Sequence, residues 1–304
     1  MRAIGHLATI LCVCGTFVWH SAARDDLRAQ APDDRAAKVL ADARAALGGD
    51  GKVAAIKSFT TTGRTRRVQG ENLVPIEFEM LVELPDKYLR KDEIPAQESD
   101  PTTIGFNGDA LLQIPAPAPP EPRPGMPAPP PGQFETMLKA RALTARQDFA
   151  RLMLGMFANS YQPYPLTFKY IGTAEAPEGK AHVLEGTGEG NFKIRFFIDS
   201  VTNLPIMVSW TAPARPMPAG RGVPGAPSST GRAAPPAATS APPAKVPPAP
   251  PEHRLYFADY REVDGIKLPF RLRRAVGANT TEETTFDRFR LNQNIDPRRF
   301  EVRK

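Results

Sequence analysis

The sequence predicts a mainly β (α+β) fold, in which an antiparallel sheet is accompanied by few helices. Apolar residues alternate with polar ones in many short segments, of which 76–84 is the first clear case, and this period of two is typical of strands with one buried face. Helical spacing of apolar residues occurs in two places, 36–47 and 138–156. Because the strand-like segments follow one another instead of alternating with helices, the pattern favours antiparallel pairing over βαβ units.

The N-terminus has the features of an export signal. A positive residue near the start, an apolar stretch from 7 to 19 and the small residues Ser21-Ala22-Ala23 occur in the order that signal peptides require. The apolar stretch is shorter than the roughly 20 residues that cross a bilayer comfortably. We expect a cleaved signal peptide at 1–23, with cleavage after Ala31 as a second option and an uncleaved anchor as the alternative, so that the protein is periplasmic or otherwise exported.

Both cysteines, Cys12 and Cys14, lie in the predicted signal peptide. Neither follows a convincing lipidation motif. A chain cleaved after Ala23 has no cysteine, which excludes a disulfide, a zinc–thiolate site and a thiol nucleophile. The exported domain must then be stabilised by its core alone.

Proline is concentrated in two tracts. Of the 34 prolines, ten lie between positions 115 and 131 and thirteen between 213 and 251. Such segments favour extended, solvated polyproline II over a packed core. We interpret 115–131 and 213–251 as disordered loops that interrupt a single domain of residues 32–304. A docking strip for another protein is the alternative interpretation of the tracts.

Two amphipathic helices are predicted. In the first, Ala36, Leu40, Ala43 and Leu47 recur at helical spacing, and Gly48-Gly49 ends it. In the second, an apolar stripe runs through 138–156. The basic residues expected to lie off that second stripe are Lys139, Arg141, Arg146 and Arg151.

Strands and turns fill the rest of the chain. Hairpin turns are predicted at Asn107-Gly108 and Asp264-Gly265, because residues that tolerate positive φ separate two apolar segments at each place. The strands predicted after the second helix are 166–170, 181–184, 192–199, 204–210, 255–260, 266–272 and 281–291.

The order of turn motifs resembles that of the periplasmic outer-membrane lipoprotein carrier (LolA-like) superfamily and its outer-membrane lipoprotein-sorting relatives. The resemblance implies an incomplete antiparallel β-barrel, a half-barrel, wrapped around a few helices, with an apolar cavity that receives acyl chains. No binding residue of that family maps onto a motif of this chain. The motifs that carry the resemblance are Ala45-Ala46-Leu47-Gly48-Gly49, Phe197-Ile198-Asp199, Thr202-Asn203-Leu204-Pro205, Tyr260-Arg261-Glu262-Val263-Asp264-Gly265-Ile266-Lys267-Leu268-Pro269-Phe270, Phe289-Arg290-Leu291-Asn292 and Asp296-Pro297-Arg298-Arg299-Phe300-Glu301-Val302.

Few residues point to catalysis or to a cofactor. His182 and His253 are the only histidines beyond the predicted signal, and they lack metal-ligand spacing. A Gly-x-Gly-x-x-Gly match at 220–225 has proline-rich flanks instead of the strand and helix that a dinucleotide site needs. Glutamates at 77, 79 and 83 alternate with apolar residues, so we expect them to face solvent. We therefore expect no enzyme, no metal and no cofactor.

The charge pattern argues against nucleic-acid binding. The net charge of +6 is modest and spread along the chain. The basic groups at 64–67 and 271–274 are interpreted as solvated strand faces, which leaves a weak attraction to anionic membrane surfaces open.

Apolar side chains are the remaining candidates for a function, since Phe and Met accommodate varied chains in binding cavities. An ordinary filled core is the alternative interpretation of the same residues. The candidate cavity residues are Phe78, Met80, Phe192, Ile194, Phe196, Ile206, Val208, Trp210, Phe257, Leu268 and Phe270.

Two functions follow from the resemblance and from this apolar set. The first is a monomeric, non-enzymatic carrier for hydrophobic ligands, either lipid or lipoprotein acyl chains. The second is an envelope sensor or protein-interaction module that uses the same fold, with proline-rich loops that dock partners such as envelope membrane proteins.

Overall fold

The computed structural model describes residues 32–95, 97–119, 130–177, 179–211 and 250–301. The predicted signal peptide and most of both proline tracts lie outside these residues. The helices are α1 (Pro32–Leu47), α2 (Asp50–Ala54) and α3 (Gln133–Phe157), and a 3-10 helix spans Pro297–Phe300. The strands are β1 (Ser58–Gln69), β2 (Asn72–Glu83), β3 (Lys87–Glu93), β4 (Thr102–Asn107), β5 (Ala110–Ile114), β6 (Thr167–Ala176), β7 (Gly179–Gly188), β8 (Phe192–Asp199), β9 (Pro205–Thr211), β10 (Glu252–Val263), β11 (Ile266–Val276) and β12 (Asn279–Leu291).

All twelve strands form one antiparallel sheet in the order β5-β4-β3-β2-β1-β12-β11-β10-β9-β8-β7-β6. The chain makes a meander from β1 to β5, crosses through α3 to the opposite edge, and returns strand by strand until β12 pairs with β1. Strands β5 and β6 each have a sheet neighbour on one side only, so the sheet is open. The predicted fold class, an antiparallel half-barrel with few helices, is therefore confirmed.

The glycine-containing turns agree with the sequence in two cases and differ in one. Gly48 and Gly49 follow α1 at φ values of 135° and 101°, which few other residues adopt. Val263 pairs with Ile266, which places Asp264-Gly265 in the predicted two-residue turn.

The first predicted hairpin is displaced by one residue. Asn107 pairs with Ala110, so the turn residues are Gly108 and Asp109 rather than Asn107 and Gly108. The Gly108 amide donates a hydrogen bond of 2.9 Å to the carbonyl oxygen of Asp86. A contact with the neighbouring β2–β3 turn thus sets the register, and the dipeptide alone does not contain that information.

The main core lies between the concave face of the sheet and the helices α1 and α3. The last nine residues of α3, 149–157, are all buried, whereas in its preceding part only Ala142 and Ala145 are buried. Helix and sheet are in close contact at Gly155, where an added Cβ atom would come within 1.9 Å of the Phe257 ring. The Tyr260 hydroxyl lies 2.8 Å from the Gly155 carbonyl oxygen and holds the same segment against β10.

Burial around the whole end of α3 corrects the prediction for Arg151. The stripe pattern placed this side chain off the apolar face, but Arg151 is only 7% exposed. Because the helix is covered on all sides over its last turns, a residue off the stripe is also inside the protein.

A smaller cluster on the convex face is covered by the C-terminal segment. The 3-10 helix begins after Asp296, whose side chain accepts a hydrogen bond of 3.0 Å from the Arg298 amide. Phe300 is thereby packed against Leu81, Leu89 and Leu112. None of the helices in the described residues is long and apolar enough to cross a membrane.

Candidate ligand-binding face

The structure brings ten of the eleven candidate cavity residues together in the main core. Trp210 is only half-buried there, and Ile206 is half-buried outside the core cluster. The buried members are Phe78, Met80, Phe192, Ile194, Phe196, Val208, Phe257, Leu268 and Phe270. The shared face is thus found as expected, while the role of these residues in ligand binding stays a prediction.

The concave face is filled in this conformation. The enclosed cavity found beside α3 has a volume of about 40 Å³, enough for a few water molecules. Met80, Leu152 and Phe286 line it together with the charged residues Arg90 and Arg274. A ligand of acyl-chain size therefore needs α3 to move or uses space that is open elsewhere.

An open groove of about 260 Å³ lies where α2, the β2–β3 turn and the end of α3 meet. The floor of this apolar groove consists of the core residues Met153, Phe157 and Tyr161. Phe157 in turn contacts Phe59 of β1, with ring centroids 5.9 Å apart. The residues that line the apolar groove are Val53, Ala54, Ile56, Leu84, Pro85, Met153, Phe157, Asn159, Ser160, Tyr161 and Gln162.

Aromatic rings continue from the groove floor into the core. Tyr161 lies 6.2 Å from Tyr164, and Tyr164 lies 5.5 Å from Phe192, measured between ring centroids. Phe192 is followed by Arg151, whose Cζ atom is 4.8 Å from the Phe192 ring centroid. The series links the apolar groove to a charged part of the same face.

That charged part is a group of four arginines and three carboxylates, here called the arginine cluster: Arg67, Arg90, Arg151, Arg274, Asp92, Asp148 and Glu282. Strand alternation places these residues of β1, β3, β11 and β12 on the concave side, since each pairs across the sheet with a neighbour of the same face. Helix α3 contributes Asp148 and Arg151. The cluster surrounds the small enclosed cavity, which Arg90, Asp148 and Arg274 line.

The ion pairs of the arginine cluster differ in closeness. Arg67 Nε lies 2.6 Å from Glu282, and Arg90 Nε lies 2.6 Å from Asp92. Arg274 is held less tightly, since its Nε is 3.6 Å from the Glu282 carboxylate that Arg67 already binds. Arg274 is therefore the arginine of the cluster whose positive charge is least neutralised by an ion pair.

Arg151 is the most buried member of the cluster. One of its terminal nitrogens donates a hydrogen bond of 2.9 Å to Asp148, whereas its Nε has no hydrogen-bond partner among the described residues. The guanidinium packs on Trp210, with 4.3 Å between Cζ and the ring centroid, in cation–π contact. Burial lowers the pKa of Arg151 below its ordinary value, and nearby Arg274 lowers it further.

His253 and Tyr88 lie near the arginine cluster, and the pKa of each is shifted there. The His253 ring stacks on Trp210 at 5.5 Å, and burial lowers its pKa, with Arg151 and Arg274 as the next causes. Burial also raises the pKa of Tyr88 to about 12. The pKa of His253 is thus lowered mainly by its burial, and the positive charges of Arg151 and Arg274 act in the same direction.

Sequence reasoning found the aromatic half of this face but missed its charged half. The alternation that identified Phe78 and Met80 on β2 carries no information on Arg90, which belongs to the neighbouring strand. A usable signal was present in the second helix, where Arg151 is directly followed by Leu152, Met153 and Leu154. Within the described residues, no three His, Asp or Glu side chains lie together as metal ligands.

No protein-family model and no curated protein sequence matches this chain. Solved structures are similar to it over most of its length. A LolA superfamily protein from Nitrosomonas europaea is 12% identical, with a TM-score of 0.49, over 88% of this chain and 97% of the other. An outer membrane lipoprotein-sorting protein domain from Vibrio parahaemolyticus is 9% identical, with a TM-score of 0.46, over 87% and 97%.

A DUF1329 family protein from Desulfovibrio piger is 10% identical, with a TM-score of 0.45, over 89% of this chain and 98% of that protein. The superfamily that the turn motifs resemble is thus also represented among the similar structures. At these identities the likeness concerns the fold alone.

Proposed function

We propose that the chain is an exported, non-enzymatic binding protein for a hydrophobic ligand, a lipid or the acyl chains of a lipoprotein, held between the concave face and α3. The observation that carries the proposal is the apolar groove, which is open and has core residues as its floor. Its volume of about 260 Å³ is close to the lower limit of roughly 300 Å³ for small-molecule sites. The groove thus holds part of a chain, and the rest of the site forms when α3 moves.

The open sheet supports such a movement. Strands β5 and β6 do not pair with each other, and α3 lies in the connection between them. Their separation can therefore change without loss of ladder hydrogen bonds. The part of α3 before residue 149 has few buried residues and is the part that moves at lower cost, since Gly155 and Tyr260 hold the end of the helix.

The proposal is tested by blocking the groove at Ala54, an exposed residue of α2 that lines it. In Ala54→Trp the indole occupies the groove, and losing about 60 Å² of apolar contact with a ligand corresponds to roughly tenfold weaker binding. The probes are cis-parinaric acid and its methyl ester, with fluorescence titration as the measurement. Both probes are expected to bind more weakly.

Ala55→Trp is the matched control, because Ala55 is the next residue, is also exposed and does not line the groove. It is expected to bind both probes like the unaltered chain. Equal affinity of the Ala54→Trp and Ala55→Trp variants would contradict the groove as the binding site. An unaltered chain that binds neither probe would contradict the proposed function.

A further inference from the structure

We infer that the arginine cluster is a binding site for an anionic group, a carboxylate or a phosphate, that contacts Arg274 and Arg151 beside Trp210. If the anionic group is the headgroup of a lipid, the inference rests on the proposed function, and the ligand of that function is then an acidic amphiphile. A free inorganic anion has the same chemistry at this site. The experiment below separates the two sources.

The first argument is the balance of charge. The cluster has four guanidinium groups and three carboxylates, and the two closest ion pairs use Glu282 and Asp92. Asp148 is 46% exposed and faces Arg151. No carboxylate of the cluster is left for Arg274 alone, since its 3.6 Å contact is shared with Arg67. One further negative charge would balance the charge of the four guanidinium groups.

The second argument is the buried Arg151 itself. A guanidinium that is 7% exposed and has an Nε without a partner in the described residues bears a desolvation cost that a hydrogen-bond acceptor would offset. Arg151 and His253 both pack on Trp210. Arginine presents several donors in one plane, which suits a carboxylate or phosphate better than a neutral group.

The third argument comes from the proline tract that joins β9 to β10. Trp210 is the second-last residue of β9, and His253 is the second residue of β10. The 38 residues between these strands that lie outside the described structure, 212–249, contain no aspartate or glutamate but four basic residues, Arg215, Arg221, Arg232 and Lys245. By its composition, this segment therefore contains no carboxylate that could pair with Arg274 or Arg151.

Cluster and groove are placed so that one amphiphile can reach both. Asp148 and Arg151 belong to the cluster, while Met153 and Phe157 line the groove on the same helix. The rise along α3 from Asp148 to Phe157 is about 14 Å, at roughly 1.5 Å per residue. A long-chain fatty acid exceeds this length, and the ring series from Tyr161 to Phe192 lies between the two regions.

The experiment removes the charge of Arg274, whose side chain is half-exposed. Arg274→Gln is expected to bind cis-parinaric acid about tenfold more weakly, as for a lost charge-assisted hydrogen bond, and its methyl ester as well as the unaltered chain does. Arg273→Gln is the matched control, because Arg273 is adjacent on β11 but exposed on the convex face over Tyr256. It is expected to leave both affinities unchanged.

Inorganic phosphate gives an independent measurement by NMR of His253. The charged groups facing this ring are Arg274 of β11 and Arg151 and Asp148 of α3, and a bound anion beside them should raise the histidine pKa. A rise with phosphate that Arg274→Gln abolishes supports the anion site even if neither parinaric probe binds, in which case only the lipid function fails. The anion site would be overturned if Arg274→Gln weakened the binding of the acid and of the ester equally. It would also be overturned if Arg274→Gln changed the affinity for neither probe and phosphate did not raise the pKa of His253.

Discussion

The apolar part of the concave face and the arginine cluster lie on the same sheet under the same helix, but they differ in what they contribute. Phe196, Leu184 and Leu154 in the apolar part are completely buried and stabilise the fold through burial and packing. In the cluster, each buried charge loses hydration that its ion pair regains only in part. The comparison predicts that most of the stability comes from the first region and little from the arginine cluster.

The largest effect is expected in the apolar part. Phe196→Ala should lower the free energy of unfolding by about 3–5 kcal/mol, because a fully buried ring is lost and a void remains. Urea denaturation measures this change. Phe197→Ala is the control, since Phe197 is the next residue but half-buried on the other face, and it should cost clearly less. Equal costs would mean that the concave face is not the principal core.

A much smaller effect is expected in the cluster. Arg151→Met should change the free energy of unfolding by less than about 1 kcal/mol, because methionine keeps the packing on Trp210 and removes the desolvation cost. Asp148, which is 46% exposed, remains hydrated without its partner. Urea denaturation of the variant checks this. A loss of about 3–5 kcal/mol, as for a broken buried pair, would show that the cluster also stabilises the fold.

The smallest effect concerns pH. Burial and the two guanidiniums lower the pKa of His253 in the folded state, whereas in the unfolded chain it is about 6.5. As the pH falls, His253 therefore becomes protonated at a higher pH in the unfolded chain than in the folded protein. The free energy of unfolding should decrease as the pH falls through about 6.5. Unfolding free energies between pH 5 and 8 should show this component in the unaltered chain and in His182→Gln.

His253→Gln should lack that component. If the variant kept the full pH dependence, the lowered pKa of His253 would not be its source. A change of opposite sign, with stability increasing on acidification through the same range, would place a carboxylate rather than the guanidiniums as the dominant neighbour of the ring.

Local patterns determined most of the strands and two helices of this protein. The alternation in 192–199 predicted β8, and Asp264-Gly265 predicted the β10–β11 turn, because both signals depend on residues close in the chain. Strand β3 and the first part of β1 were not predicted, although residues 64–67 of β1 were interpreted as a solvated strand face. Their residues 64–67 and 87–93 are rich in charge, since the inward positions of these strands carry Arg67, Arg90 and Asp92.

The sequence by itself determined that one face of an antiparallel sheet would be apolar and aromatic. Tertiary structure alone decided how that face is occupied, with the end of α3 filling it and leaving the groove beside Phe157. It also decided that Arg151, Arg274 and His253, which are far apart in the chain, meet around Trp210. The physical reason is that alternation records only which side of a strand is buried, whereas partners across the sheet and beneath a helix depend on register and packing.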